Sequence, residues 1–512
     1  MTGLANKRKH YLYYILFTLM LLYYLWMAAQ IPYTHDDWAW GTKNGLDWFL
    51  KANVNSRYAG NAMVVALTRY PGLKTIVMGI VFALIPASAV RLVKSAAKQE
   101  GDQEENKYIY LYILANALML SVPRVTWMQT FGWVSGFSNY VMVSLAMLIY
   151  LLVLTDLEAG KKYGIFSHVL LFSFGIVMQL FVENVTVCTI ALTAFCCVRS
   201  LVLKRRIESE QWLLLAGNLI GTAIMFSSPI YTTLVETGTA VGGLRRLEID
   251  KEAGLISEFF RLIRFFLYYY PNQIWTSNVW MSSCICLLLI VICLKKENLW
   301  IRMGGSVNVV FLLYFLYVKF CGKVEFSSAW WSGAFSAGMG LLFFLSVLIQ
   351  CLILFDRGNK STHFLVFTWL AAPAVMLPLV IVATGLGRCC LPTQMLHMLF
   401  CMMLMLKLWD CSGKNTVRTM GVVITTLFCC ICIGFGKVYF DIGVVKRIRD
   451  HDVFLARTGA INSIQMKEFP HGGYLWNADP ALGDREVESY FRAFYRIPNE
   501  VELWFDSWGP KT

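Results

Sequence analysis

The chain has 512 residues, of which 57% are hydrophobic and only 15% charged, with a mean hydropathy of +0.56. Soluble domains average about 25% charged residues, so an ordinary soluble enzyme is excluded. The net charge of +13 is scattered through short loops rather than gathered in one patch, which argues against nucleic acid as a partner.

Apolar runs of roughly 17–25 residues recur along the chain, separated by short charged loops, and predict an all-α polytopic membrane protein. Thirteen spans are expected, at 11–31, 75–93, 107–123, 139–155, 163–181, 185–203, 211–228, 275–294, 301–320, 331–355, 363–385, 390–408 and 419–437. The segment Leu262–Tyr270 reads either as an interfacial helix or as part of another span. The first run is too long for a signal peptide and has no small-residue cleavage site.

Basic residues mark one side. Lys7-Arg8-Lys9, Arg91/Lys94/Lys98, Lys161-Lys162, Lys204-Arg205-Arg206, Lys295-Lys296, Arg357/Lys360 and Lys414/Arg418 all fall on the same face of a thirteen-span topology. By the positive-inside rule that face is cytoplasmic. The N-terminus is then expected inside and the tail outside a bacterial plasma membrane. Residues 1–437 form the expected membrane domain, with a long first outer loop at 32–74. Residues 438–512 form an extracytoplasmic C-terminal domain, with a short helix at Glu486–Tyr495 and a strand at Val501–Phe505. At roughly 75 residues the tail is small for a core of its own and is expected to lean on the membrane domain.

The 15 cysteines all lie between Cys188 and Cys432, nearly all in apolar runs, where they read as small buried hydrophobes. Neither Cys389-Cys390 nor Cys429-Cys430 has His or Cys partners at metal-ligand spacing.

The chemistry-bearing residues cluster at the opposite face. Thr34-His35-Asp36-Asp37-Trp38 follows the first apolar run directly. Asp36 and Asp37 read either as a cap for the helix beginning near Trp38 or as a general base, a metal ligand or both. Adjacent carboxylates perturb each other's pKa and attract a proton or a cation. A divalent cation therefore remains open, with no metal assigned.

Four stretches carry a resemblance: Asp36-Asp37-Trp38, Asn55-Ser56-Arg57-Tyr58, Trp133-Val134-Ser135-Gly136-Phe137-Ser138-Asn139-Tyr140, and Val182-Glu183-Asn184. With the first helix, the many further spans and the outer tail, they resemble the GT-C superfamily of integral membrane glycosyltransferases, near the serotype-converting glucosyltransferases of bacteria. The motifs are short, but the likeness in order and layout covers nearly the whole chain.

The resemblance implies transfer of a sugar from a polyprenyl-phosphate carrier to a cell-surface glycan or cell-wall polymer at the outer face of the bilayer. Asp36 or Asp37 would deprotonate the acceptor hydroxyl, and the reaction would invert the anomeric centre. Arg57 and Arg388 would hold the donor phosphate, with Arg245 and Arg246 closing over it from a flexible loop. Solvated or interfacial charges are the plain alternative for these arginines. Glu183 and Asn184 would pair with an Arg, bind the acceptor or help hold a metal. Trp133, Asn139 and Tyr140 would form a sugar platform or, with Trp127, an aromatic belt. A lipid-linked glycan polymerase or ligase shares these requirements. A flippase or transporter would need charged residues along its spans, and the central spans carry almost none.

Overall fold

The structure, a computed structural model, describes residues 2–52, 54–97, 105–161, 163–240, 245–247, 254–383, 386–479 and 485–506. It is built almost wholly of helices, and many apolar side chains face outward, among them Leu19, Phe195, Leu313 and Ile353. That combination suits a bilayer, where backbone polar groups must be satisfied within the segment. The fold thus defines an all-α polytopic membrane protein.

Among the described residues nine helices are long and apolar enough to cross a membrane. Two bent pairs, Ser209–Phe226 with Pro229–Thr237 (58°) and Leu255–Thr276 with Val279–Leu294 (75°), raise the number to eleven if each is one span. Every one of the expected segments coincides with an apolar helix. The difference from thirteen lies in Lys107–Leu120 and Ile165–Met178. The second has 14 residues, a rise of about 21 Å against a hydrocarbon core of about 30 Å. The segment around Leu262–Tyr270 is resolved as part of a helix, Leu255–Pro271, that turns sharply away from the span after it. Its exposed Leu255, Ile256, Phe259 and Phe260 suit a helix lying in the interface.

The first and last long helices fix the direction of the bundle. The Tyr23 hydroxyl donates to Cys432 O at 2.9 Å, and Arg447 donates to Gln30 Oε1 at 3.2 Å. Residues 23 and 30 therefore meet 432 and 447 in ascending order, so Tyr11–Gln30 and Lys414–Arg457 run parallel. The start of the chain and its tail lie at opposite ends of the bundle.

The basic residues gather at the end where the first helix starts. Lys94 stands over the Tyr108 ring at 5.1 Å, Lys107 pairs with Asp410 at 3.1 Å, and Lys295 reaches Cys411 O at 3.5 Å. Lys414 opens the last long helix at the same end. The acidic pair lies at the other end, beyond Gln30.

Gly387–Asp410 is the central helix, buried throughout its most apolar stretch. Arg388 stands at its head, so its backbone is held by the densest part of the core.

The last long helix continues without a break to Arg457, past the expected boundary at 437. The tail then forms a parallel pair of strands, Ser463–Lys467 and Glu502–Asp506, joined through the helix Arg485–Tyr495. Among the described residues it has no separate core. Ile464, Met466, Phe491 and Val501 belong to the same buried cluster as Trp38 and the bundle helices. Aromatic edges make the joint: Trp38 on Phe491 at 5.0 Å, Tyr33 on Phe494 at 5.1 Å and Trp48 on Tyr490 at 6.1 Å. Arg449 braces it, donating to Lys467 O at 2.7 Å with its guanidinium 4.0 Å from the Phe469 ring centre and paired to Asp479.

Candidate active site

The acidic pair divides into two unlike groups. His35 adopts a left-handed backbone (φ 52°), an uncommon conformation for a residue with a side chain. This tightens the turn, in which Asp37 N donates to Thr34 O at 3.1 Å. The short helix Asp37–Trp40 follows, but neither Asp caps it: Asp36, at the N-cap position, makes no side-chain capping bond.

Asp37 is fully buried and serves a different helix. Its carboxylate accepts from Val134 N at 3.3 Å, Ser135 N at 2.9 Å and Ser135 Oγ at 2.5 Å, all at the start of Val134–Glu158, and from Thr34 N at 3.0 Å. It therefore fastens the first loop to a helix N-terminus, where free N–H groups favour an acceptor. Burial and the charge of Asp36 push its pKa up to about 7, against the pull of the Ser135 and Thr34 bonds.

Asp36 is about one-third exposed and faces His35, with Nδ1 and Oδ1 3.3 Å apart. The two are close in charge but not aligned as a hydrogen bond, and both atoms are buried without a bonding partner. Burial alone would lower the His35 pKa; Asp36 and Asp37 outweigh it, and the net shift is upward even though Arg388 opposes it.

Arg388 packs against two aromatic rings. Its guanidinium lies 5.7 Å from the ring centres of both Trp133 and Tyr140. Its backbone N–H donates to Gln129 Oε1 at 3.1 Å. Among the described residues no carboxylate lies within pairing distance of Arg388 (Gly385, part of the same motif, is outside them).

Arg57 is engaged. It donates to Glu183 Oε2 from Nε at 3.2 Å and Nη2 at 3.0 Å, and to the Tyr140 hydroxyl from Nη1 at 2.7 Å. Burial would lower its pKa, but the Glu183 carboxylate dominates and holds the guanidinium charged. Glu183 also accepts from Tyr231 at 3.3 Å, and Tyr231 shares a 2.6 Å bond with Ser56. Of the partners open to Glu183 in the sequence, the fold thus selects Arg57 over Arg388.

The remaining candidates divide between site and frame. Asn184 is buried and ties its helix to Val375 O at 3.1 Å, so it faces the frame. Asn139 donates to Ser135 O at 2.9 Å, leaving its buried Oδ1 unpartnered. Gly60 permits the close approach there: a Cβ would sit 2.1 Å from that oxygen. Trp133 is buried with its indole N–H unpartnered. Trp127 belongs to no platform; it stacks on Phe131 at 4.4 Å and donates to the Tyr439 hydroxyl.

Arg245 and Arg246 lie in a short strand that pairs with Thr239–Ala240 on one side and Val382–Ala383 on the other, Arg246 opposite Ala383. This brings their backbone near the segment leading to Arg388. Their side chains and Gly242-Gly243-Leu244 lie outside the described residues.

The tail contributes a residue that sequence reasoning missed. Trp476 sits 6.1 Å from both the Trp133 and the His35 rings. Arg124 stands over Tyr474 at 5.3 Å, and a Cβ on Gly132 would strike Tyr474 O, so the tail is seated closely here. The only sequence signal was a tryptophan shortly after Gly472-Gly473 in an otherwise polar tail.

Asp36, His35, Arg388, Trp133 and Trp476 thus form one cluster of neighbouring side chains, with unpartnered polar atoms on Asp36, His35 and Trp133. It offers a carboxylate for a proton, a cation for an oxyanion and aromatic faces for a ring. Among the described residues no group of three or more His, Cys, Asp or Glu is arranged to hold a metal. With Asp37 fully engaged, the donor set does not fit a protein-built cation cage.

No family model, curated protein or solved structure matches the chain.

Proposed function

We propose that the protein is a membrane glycosyltransferase. It moves a sugar from a polyprenyl-phosphate donor to a cell-surface glycan or cell-wall polymer, with inversion. The observation that carries the reading is a one-third-exposed carboxylate, Asp36, in one cluster with a guanidinium, Arg388, that has no carboxylate partner among the described residues, at the end of the bundle away from the basic loop clusters. The resemblance of the surrounding motifs to GT-C enzymes supports it.

In this mechanism Asp36 takes the proton of the acceptor hydroxyl as its oxygen attacks the anomeric carbon. The bond from that carbon to the phosphate oxygen breaks, and its electron pair leaves with the lipid phosphate. Arg388 stabilises the charge gathering there, the role in which preorganised donors are most effective. Trp133 and Trp476 pack against the sugar ring. Arg57 holds Glu183 and Tyr140 in place and acts on the phosphate through that frame. No step is routed through a metal.

Release of polyprenyl phosphate from a panel of polyprenyl-monophosphate sugars, in liposomes holding the purified protein, tests this reading. Turnover of one member with an oligosaccharide acceptor is the expected result. Turnover of diphosphate-linked donors alone would assign the site to a glycan ligase or polymerase instead, and lipid movement without transfer to a flippase.

In this reading all thirteen apolar segments cross a bacterial plasma membrane, with the basic end cytoplasmic and the tail extracytoplasmic. A cysteine at position 473, on a background without reactive thiols, should label in intact cells, and one at position 204 should not. Labelling at 204 alone would put Asp36 on the cytoplasmic side and sink the assignment.

A further inference from the structure

A crevice of about 650 Å³ runs between the helices Glu183–Lys204 and Lys360–Ile381, lined by none of the candidate site residues. Phe195 and Leu370 on its margin are exposed, so it opens sideways to where lipid lies. Two hydroxyls on its wall are already engaged: Tyr150 with Thr193 and Asn218, and Thr189 with Gln179 Oε1 at 3.1 Å.

Its unsatisfied polar groups are all at the basic end of the bundle. Arg357, Thr362 and His363 line it there. Thr362 is 2% exposed, and its hydroxyl is buried without a partner. Arg357 donates only to Leu352 O, at 3.3 Å, among the described residues. The nearby acids are turned elsewhere: Asp356 accepts from Gly358 N at 3.0 Å, and Asp410 pairs with Lys107 at 3.1 Å. Lys407 bonds Ser361 nearby, with Asp410 and Asp356 to offset its charge, and does not line the crevice. The other end, walled by Val185 and Val375 and tied by the bond from Asn184 to Val375 O, offers no cation.

We propose that this crevice is a binding site for an anionic phospholipid of the leaflet at the basic end. Its phosphate is held by Arg357 and His363 with a hydroxyl bond from Thr362, and an acyl chain fills the apolar length. Charge complementarity decides the occupant. An uncharged lipid would leave the guanidinium, the imidazole and the buried hydroxyl without a matching acceptor, and a zwitterionic one would bring its own cation up against the guanidinium, whereas basic recesses between spans suit anionic headgroups. The polyprenyl donor is disfavoured because its phosphate must sit near Arg388, at the far end. Only that exclusion rests on the glycosyltransferase reading; the choice of an anionic phospholipid rests on the crevice itself.

Native mass spectrometry of the full-length protein, released from detergent after titration with phosphatidylglycerol or phosphatidylcholine, tests it. Phosphatidylglycerol should be retained roughly tenfold more tightly, as expected of charge-assisted hydrogen bonds. It should also raise Tm by ~2–4 °C. The double variant Arg357→Gln/His363→Gln changes exposed residues and should fold; its retention of phosphatidylglycerol should fall to that of phosphatidylcholine. Ala371→Trp, which fills the crevice, should lower retention of both lipids. Equal retention of the two lipids by the native protein would overturn the site. So would a preference for phosphatidylglycerol that survives the double variant, or displacement of that lipid by equimolar polyprenyl phosphate.

Discussion

Asp36→Asn is expected to abolish transfer while leaving the protein as stable as the native chain. The substitution keeps size and removes a carboxylate that holds no structural hydrogen bond among the described residues: Asp36 makes no capping bond and stands 3.3 Å from His35. Loss of a general base typically lowers turnover ~10²–10⁴-fold. Asp37→Asn should behave in the opposite way. Asp37 accepts four bonds from N–H and O–H donors, and both oxygens are used. An amide would turn its own N–H₂ toward one pair of donors, leaving buried groups opposed. That costs about 1–3 kcal/mol for each donor left unsatisfied. Thermal stability should drop, with activity falling only as far as the first loop loosens. Full activity in Asp36→Asn protein would remove the base assignment altogether.

Asp37 also carries a pH signature. Its folded-state pKa is raised to about 7 by burial and by Asp36. A raised carboxyl pKa means that the folded state favours the protonated form more than the unfolded chain does. The stability from this group is therefore complete below the ordinary carboxylate range and is lost as pH rises through about 7. The native protein should lose more Tm between pH 5 and pH 8 than the Asp37→Asn variant, which has no proton to release. Equal slopes would mean that the Ser135 and Thr34 bonds, rather than burial, govern this carboxyl.

The sequence made the helices legible because bilayer spans announce themselves by length and apolarity, independent of partners. It was less informative wherever geometry depends on what a segment touches. The helix Lys107–Leu120 reads as a span by composition, and among the described residues it is a shorter apolar helix next to a stretch that is not described. The boundary at residue 437 rested on a drop in hydropathy, but a helix continues for as long as its backbone bonds are satisfied, here to Arg457. Acidic and aromatic residues of the candidate site were visible as types. Their division of labour was not, because only the fold brings Val134 N and Ser135 N to Asp37. Trp476 is more than 300 residues from Trp133 in sequence, and no local pattern links them. Arg57 and Arg388 looked alike as loop cations; the partner of each is set by tertiary contact.

That difference between the two arginines gives the second large effect. Arg388→Ala should fold normally, since its guanidinium contacts rings rather than a carboxylate. Donor turnover should fall ~10²–10³-fold, as when one oxyanion-stabilising donor is removed. Arg388→Lys should recover part of it, because charge remains while the two-pronged geometry is lost. Arg57→Ala should instead lower stability. Arg57 and Glu183 are only 13% and 21% exposed in their side chains, and Glu183 would lose its nearest cation. Breaking a fully buried pair costs about 3–5 kcal/mol, and partial exposure here reduces that. Glu183→Gln should therefore rescue Arg57→Ala, with a coupling of about 0.5–3 kcal/mol in a double-mutant cycle. It should not rescue Arg388→Ala. A stable Arg57→Ala protein with lost donor binding would reverse the two roles: Arg57 would be the residue on the phosphate, and Arg388 the aromatic-bound anchor.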